Sequence, residues 1–322
     1  MKKIVVIGLG NVGFTYVTIC VARNIQAEWI FVDKNTEVAE AHAHDFEDMC
    51  AILPRNNSSF KVGTLDDAKG ADIVMIAASI PAGKDFSDRL ALAGANAKLM
   101  KSFGDKLKEV GFKGSVIVAA NPCDVMAAVI HYASGLPANK VMSAGTVLDS
   151  GRMRKFVAAK VKTSPENVHG FVCAEHGGSA MIAWSQLRVG LSSVEDLIKA
   201  RKLKRSDLDE ILKQTLSEPF FIFSRKGNTQ FGIATSCYRT TEAILENQRA
   251  IIPLGVKLPK PFKNAGIYTC FPVIVGERGY EYLPGTLKLS KEEMEKFEAS
   301  TAHMANVHTE TLAQIGINID FK

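Results

Sequence analysis

A chain of 322 residues with 47% hydrophobic and 23% charged residues can bury a large core, suggests two domains and reads as an ordinary globular protein. Its formal charge of +5 is spread along the sequence, and the densest basic stretch, residues 199–205, runs straight into acidic helix residues. That pattern reads as a solvated helix face, so anionic small molecules are expected as partners rather than nucleic acid. Six cysteines (Cys20, Cys50, Cys123, Cys173, Cys237, Cys270) stand far apart with neither a CxxC pair nor metal-ligand spacing, which predicts reduced, mostly buried thiols and no metal. Lys2 and Lys3 precede an apolar run that GLGNVG interrupts at once, and no long apolar segment follows. No membrane span is expected, and the location expected is the cytoplasm.

The first 145 or so residues alternate short apolar runs with amphipathic stretches. Strands are predicted at 3–7, 29–32, 73–77, 116–119 and 141–144, apolar on both faces as in a parallel sheet covered by helices on each side. Gly8, Gly10 and Gly13 form GxGxxG between the first strand and a helix starting near Asn11. Glycines there let the backbone turn sharply and approach a pyrophosphate, which the unpaired amides and dipole of a helix N-terminus favour. Three close glycines alone often make only a turn. The strand-turn-helix context strengthens the reading, as does Asp33, which ends the next strand 20 residues beyond Gly13. Its carboxylate can accept hydrogen bonds from ribose hydroxyls and would repel a 2′-phosphate, so the expected cofactor is NAD rather than NADP, an exclusion that Lys34 slightly weakens. Gly8, Gly10, Asn11, Val12, Gly13 and Asp33 are the candidate cofactor residues. On the next helix His42, His44, Asp45, Glu47 and Asp48 invite a metal reading, but His42 and His44 are two apart and face different ways, so a solvated face is expected. Residues 79–88, with Pro81, Gly83 and several polar residues between a strand and a helix, read as a flexible lid.

After Thr146 the texture changes. A helix over 149–160, a Pro-containing link, longer helices, strands at 250–256 and 268–275, and a final helix over 290–312 suggest an α+β domain. Ser290 and Glu293 have capping-box spacing at the start of that last helix. The apolar run 220–223 after Pro219 is expected to pack into the core. The fold class is therefore α/β, a Rossmann-type doubly wound parallel sheet over 1–146 that binds NAD, followed by an α+β catalytic domain over 147–322.

Reduction of a 2-oxo acid needs a proton donor near the carbonyl, a cation for the carboxylate and a group that holds the donor in place. His176 in AEHGGS, Arg152 and Asp149 can supply all three: imidazole exchanges protons near neutral pH, the guanidinium fork grips a carboxylate, and a carboxylate on the other ring nitrogen fixes the tautomer. Taken singly, Asp149 and Arg152 also read as a surface i,i+3 ion pair and His176 as a loop histidine.

In chain order GLGNVG, Asp33, DRLALAGAN, NPCD, LDSGR and AEHGGS resemble the lactate/malate dehydrogenase family over essentially the whole length. The resemblance implies an NAD-dependent L-2-hydroxyacid dehydrogenase, bacterial in type, with glycolytic reduction of pyruvate to L-lactate as the first expectation. It makes His176 the acid/base, Asp149 its partner and Arg152 the carboxylate clamp. Asn121 in NPCD would contact cofactor and substrate, and Arg89 would reach the substrate carbonyl from a mobile loop. Thr229 would line the substrate methyl pocket and Ile233 would lie near the nicotinamide. Arg154 and His169 fall where bacterial relatives bind fructose 1,6-bisphosphate as an allosteric effector across a subunit interface, and a homotetramer or dimer is implied. Four such residues (Arg89, Asp149, Arg152, His176) argue against a non-catalytic dinucleotide-binding protein.

Two departures bear on substrate. The loop IPAGKDFSDR carries neither the glutamine usual for lactate enzymes nor the arginine usual for malate enzymes, and is one residue longer than the usual loop. Leaving a second substrate carboxylate unpaired in a closed site costs several kcal/mol, which argues against malate unless Lys84 meets it. Ala82, Gly83 and Phe86 leave room for a bulkier acid of the 2-hydroxyisocaproate type, whereas Thr229 favours pyruvate. Gly178 stands where the family usually has aspartate.

Overall fold

The computed structural model describes residues 1–80, 89–283, 285, 287–319 and 321, with the backbone alone at 89–92. The first half runs β1 (Lys2–Ile7), α1 (Asn11–Ala22), β2 (Ala27–Val32), α2 (Thr36–Ile52), β3 (Ser59–Val62), β4 (Ile73–Ile76), α3 (Arg89–Glu109), β5 (Ser115–Val118), α4 (Cys123–Ser134) and β6 (Val141–Ser143). The second half opens with α5 (Val147–Val161) and continues through the short strands β7 (Val168–His169), β8 (Val172–Cys173), β9 (Met181–Ile182), β10 (Arg188–Val189) and β11 (Ser192–Ser193). It ends with α6 (Val194–Lys199), α7 (Arg205–Lys226), α8 (Phe231–Leu245), β12 (Ala250–Lys257), β13 (Tyr268–Gly276), β14 (Gly279–Glu281) and α9 (Lys291–Ala313).

One nine-stranded sheet in the order β14-β13-β12-β6-β5-β4-β1-β2-β3 spans the molecule. Strands β3, β2, β1, β4, β5 and β6 are parallel, and the order reverses between β1 and β4. At such a switch point the helices leave to opposite faces and open a crevice beyond the strand ends, where nucleotides bind. Ile4, Val5, Val6, Ile73, Val74, Met75, Val116 and Ile117 are fully enclosed, as strands covered on both faces require.

The strands predicted over 250–256 and 268–275 do not form a separate sheet. Strand β12 pairs antiparallel with β13 and, through Gly255 opposite Ser143, with β6, so both halves of the chain share one sheet and one hydrophobic core. Strand β3 was not foreseen: Phe60 and Val62 are its only apolar residues, too few to show a period. Helix α9 begins as expected, with Ser290 and Glu293 forming a reciprocal capping box.

The run 220–223 corrects the expectation of core packing. Helix α7 continues through Pro219, and its inward stripe is Leu208, Ile211, Leu212, Thr215 and Leu216, continued by Ile222. Phe220 and Phe221 fall off that stripe and are 67% and 56% exposed, while Phe223, in phase with it near the end of the helix, is 49% exposed. His42 stacks on Phe14 at 5.3 Å and His44 pairs with Glu47. The six cysteines are unpaired, and no described helix is long and apolar enough to cross a membrane.

Candidate active site

The glycine turn sits at the switch point. Gly8 has φ +93°, a conformation that favours glycine, and a Cβ there would meet the backbone N of Ala78 beyond β4 at 2.5 Å. A Cβ on Gly13 would lie 1.9 Å from the Gly8 carbonyl oxygen, so α1 can approach β1 this closely only without a side chain. Gly10 differs. It is the N-cap of α1, makes no side-chain cap and has no atom within 4 Å of its Cβ position, leaving open space in front of the unpaired first-turn amides. Asn11 and Val12 form that first turn.

Asp33 follows β2 directly. Its Oδ2 accepts the backbone N–H of Leu9 at 2.7 Å and its Oδ1 that of Asn35 at 2.9 Å, tying the carboxylate to the glycine turn. Lys34 beside it is exposed. A carboxylate so held, with an open helix N-terminus beside it, fits a dinucleotide: pyrophosphate at Gly10 and ribose hydroxyls at Asp33.

The second set of groups hangs on α5 and on the chain between β8 and β9. Asp149 and Arg152 lie one turn apart on α5, and both are buried, at 4% and 6% exposure. Asp149 Oδ1 accepts a hydrogen bond from Arg152 Nη1 at 2.9 Å, while Asp149 Oδ2 sits 2.6 Å from His176 Nδ1. The i,i+3 pair is thus an enclosed guanidinium–carboxylate–imidazole relay. Burial works against the imidazolium, but the Asp149 carboxylate outweighs it and holds the His176 pKa above 6.5. Burial likewise works against Asp149, which its two cationic partners keep below the usual carboxylate value.

The chain reaching His176 is firmly tied. Ala174 adopts φ +72° and exchanges two backbone hydrogen bonds with Cys270 on β13, at 3.0 and 2.8 Å, while Thr269 Oγ1 donates to its carbonyl at 2.9 Å. Beyond His176, Glu175 accepts the N–H and hydroxyl of Ser179 at 2.9 and 2.6 Å, and Ser179 reaches Ser300 on α9 at 2.7 Å. This network fixes the loop that carries Gly178, whose Cβ position is open.

A cavity of about 300 Å³ adjoins the relay. Arg152, Leu148, Ile222, Thr229 and Phe231 line it, so Arg152 and Thr229 come together as the sequence suggested. Its other cations are engaged: Lys155 pairs with Glu218, and Lys226 lies 4.0 Å from the centre of the Phe231 ring. Asn121 is exposed just beyond β5, and Asn96, a residue sequence reasoning missed, accepts the Ile80 N–H at 2.7 Å and donates to the Asn121 carbonyl at 3.0 Å. Gln230 donates to Thr15 of α1 at 3.1 Å, linking the substrate-side loop to the nucleotide helix. Ile233 lies half-buried near the start of α8.

Other sequence candidates stand apart. Arg154 is two residues from Arg152 on α5 and so faces elsewhere; it is half-buried, its Nε has no partner, and burial lowers its pKa. His169 is exposed on β7, which packs on α5. Arg89 opens α3, but its side chain lies outside the described residues, as do Ala82, Gly83, Lys84 and Phe86.

A doubly wound nucleotide crevice beside a carboxylate-backed histidine defines a nicotinamide-dependent oxidoreductase. Comparison with known proteins makes the class specific. The model of the lactate/malate dehydrogenase NAD-binding domain matches residues 2–143, and that of the family's alpha/beta C-terminal domain matches 146–315. The chain belongs to the lactate/malate dehydrogenase family, and its cofactor is NAD. It is 39% identical over 304 residues to an L-lactate dehydrogenase of Mycoplasmopsis pulmonis, covering 94% of this chain and 96% of that protein. It is also 39% identical over 321 residues to one of Mycoplasmoides gallisepticum, covering 98% and 99%. A lactate dehydrogenase from a Medee basin deep-sea metagenome library superposes with a TM-score of 0.91 at 30% identity, covering 98% of this chain and 99% of the other.

Proposed function

We propose that the chain is a cytoplasmic NAD-dependent L-lactate dehydrogenase that reduces pyruvate to L-lactate. The observation that carries this is the Arg152–Asp149–His176 relay, with Arg152 opening into a cavity that also holds Thr229. When bound, NADH supplies the hydride that the carbonyl carbon accepts. His176 commits Nδ1 to Asp149, so Nε2 is the atom that gives the carbonyl oxygen its proton, and Asp149 stabilises the imidazolium form that donates. Arg152 spends one Nη1 hydrogen on Asp149 and keeps the rest of its fork for the substrate carboxylate. Thr229 bounds the side-chain end of the substrate. Arg89 is assigned to the carbonyl, Asn121 and Ile233 to the nicotinamide end, and Gly8, Gly10, Asn11, Val12, Gly13 and Asp33 to the dinucleotide.

A monocarboxylate is favoured over malate because both lysines in the cavity are engaged, one by Glu218 and the other by the Phe231 ring. We assign residues 1–146 to cofactor binding and 147–322 to substrate and catalysis, and the active unit to a homotetramer or dimer. Arg154 and His169 are assigned to fructose 1,6-bisphosphate, supported by the unpartnered, half-buried Arg154 guanidinium. The unpaired cysteines support the cytoplasm. Steady-state NADH oxidation with pyruvate, 2-oxoisocaproate and oxaloacetate tests the substrate, and pyruvate is expected to give the highest kcat/KM. A preference for either of the others overturns the lactate reading. Repeating the pyruvate titration with the bisphosphate tests the effector site, and an unchanged saturation curve removes it.

A further inference from the structure

Two helix stripes face each other across the cavity beside the relay. Leu148, Gly151, Arg152 and Lys155 recur along α5, and Glu218, Ile222 and Lys226 along α7, at the spacing that puts each set on one face of its helix. Arg152 and Lys155 therefore stand one turn apart, their side chains rooted about 5–6 Å from each other. That is close to the spacing of the two carboxylates in a four-carbon dicarboxylate. Arg152 keeps part of its fork free. The Lys155 ammonium is instead taken by Glu218, the only carboxylate lining the cavity among the described residues. The Glu218 side chain is 22% exposed against 51% for Lys155, so the carboxylate is the inner partner of the pair.

We propose that Glu218 is a specificity-determining residue: it takes, from within the chain, the place at Lys155 that the second carboxylate of a 2-oxo dicarboxylate would need. This rests on the reading that the Arg152 cavity receives the substrate. A dicarboxylate gripped by Arg152 has to displace Glu218 from Lys155 and then lie beside the displaced charge. An attraction is lost and a repulsion gained in a partly enclosed space, whereas a small uncharged substrate side chain meets neither cost. Lys226, two turns along α7 from Glu218, is held on the Phe231 ring. Because Lys155 is half exposed, its pairing adds little to stability, and the contribution of the pair is to selection. Without the Glu218 charge, Arg152 and Lys155 form the two-cation pattern that a dicarboxylate needs, so the chain carries a masked dicarboxylate site.

The test is Glu218→Gln, which keeps the shape and removes the charge. Steady-state NADH oxidation gives kcat/KM for oxaloacetate and for pyruvate in the wild type and the variant. The oxaloacetate-to-pyruvate ratio is expected to rise about tenfold or more in the variant, through a lower KM for oxaloacetate. Adding Lys155→Met to Glu218→Gln is expected to return the ratio to the wild-type value. A folded Glu218→Gln protein with an unchanged ratio overturns the proposal, and so does a raised ratio that survives Lys155→Met. Glu218→Ala, also neutral, gives the same reading if Glu218→Gln does not fold. A wild type that prefers oxaloacetate ends the lactate reading, whereas Glu218 is judged by the change between wild type and variant. L-Malate titrated calorimetrically into the NADH-loaded proteins needs no turnover. It is expected to bind the variant about tenfold more tightly, and equal affinities would count against Glu218 alone.

Discussion

At the scale of single residues, His176 sets the pH behaviour. Asp149 holds its pKa above 6.5 against the effect of burial, so the donor form persists past neutrality. Reduction requires that form, so kcat/KM is expected to be level at lower pH and to fall about tenfold per unit beyond a pKa higher than 6.5. Asp149→Asn removes the main support of the charged ring, which moves the falling limb to lower pH and slows the reaction by about a hundredfold or more. Steady-state profiles of the two proteins check this, and superimposable limbs would contradict it. Gly178 is the reverse case. Its Cβ position is open, and the loop is held by Glu175, Ser179 and Ser300. Gly178→Asp is expected to change stability by no more than about 0.5 kcal/mol and to leave turnover in place, as thermal melting and an assay would show. The sequence does not reveal this hold, because Ser300 lies far along the chain and meets the loop only after folding.

At the scale of elements, the glycine turn separates two duties. Gly13 lets α1 touch β1, and Gly10 leaves space before the helix. Gly13→Ala is therefore expected to lower the melting temperature, whereas Gly10→Ala folds normally and binds NADH more weakly. Calorimetry and fluorescence titration distinguish the two outcomes, and equal losses of stability would refute the division. Local signals of this kind were legible in the sequence. The motif after β1, Asp33 after β2 and the Ser290–Glu293 cap each depend on residues a few positions apart. Signals depending on a partner were not. Periodicity announces strands at 250–256 and 268–275 but not that they extend the first sheet, since register pairs such as Gly255 with Ser143 carry no local mark. Hydrophobicity alone does not place the run 220–223: in a helix that continues through Pro219, Ile222 turns inward while Phe220 and Phe221 face away. The relay was legible in its chemistry, yet Asn96 does not announce its role, because it acts through groups distant in sequence.

For the whole molecule, the enclosed histidines limit acid tolerance. His308 on α9 is fully buried, with Nδ1 2.8 Å from the Met304 carbonyl, and burial lowers its pKa to about 4. His131 on α4, burdened by burial and by Lys257, is also lowered to about 4. Because the folded values lie below the unfolded 6.5, this contribution is complete above that pH and is lost as pH falls from there toward 4. The loss is about 3 kcal/mol for His308, and less for the partly open His131. Urea titrations at falling pH are expected to show it, and His308→Gln should flatten the dependence; an equally steep slope in that variant would exclude His308 as the cause. Continuity of the sheet has a last consequence. Strand β1, which ends at the cofactor's berth, and β13, which grips the chain at Ala174, are rungs of a single ladder. The interval between redox partner and proton source is therefore gauged once, during folding, like the jaws of a locked caliper. Its weakest rung is the seam where Gly255 meets Ser143. Loosening that seam would silence the enzyme by letting the two ends of the gauge drift apart.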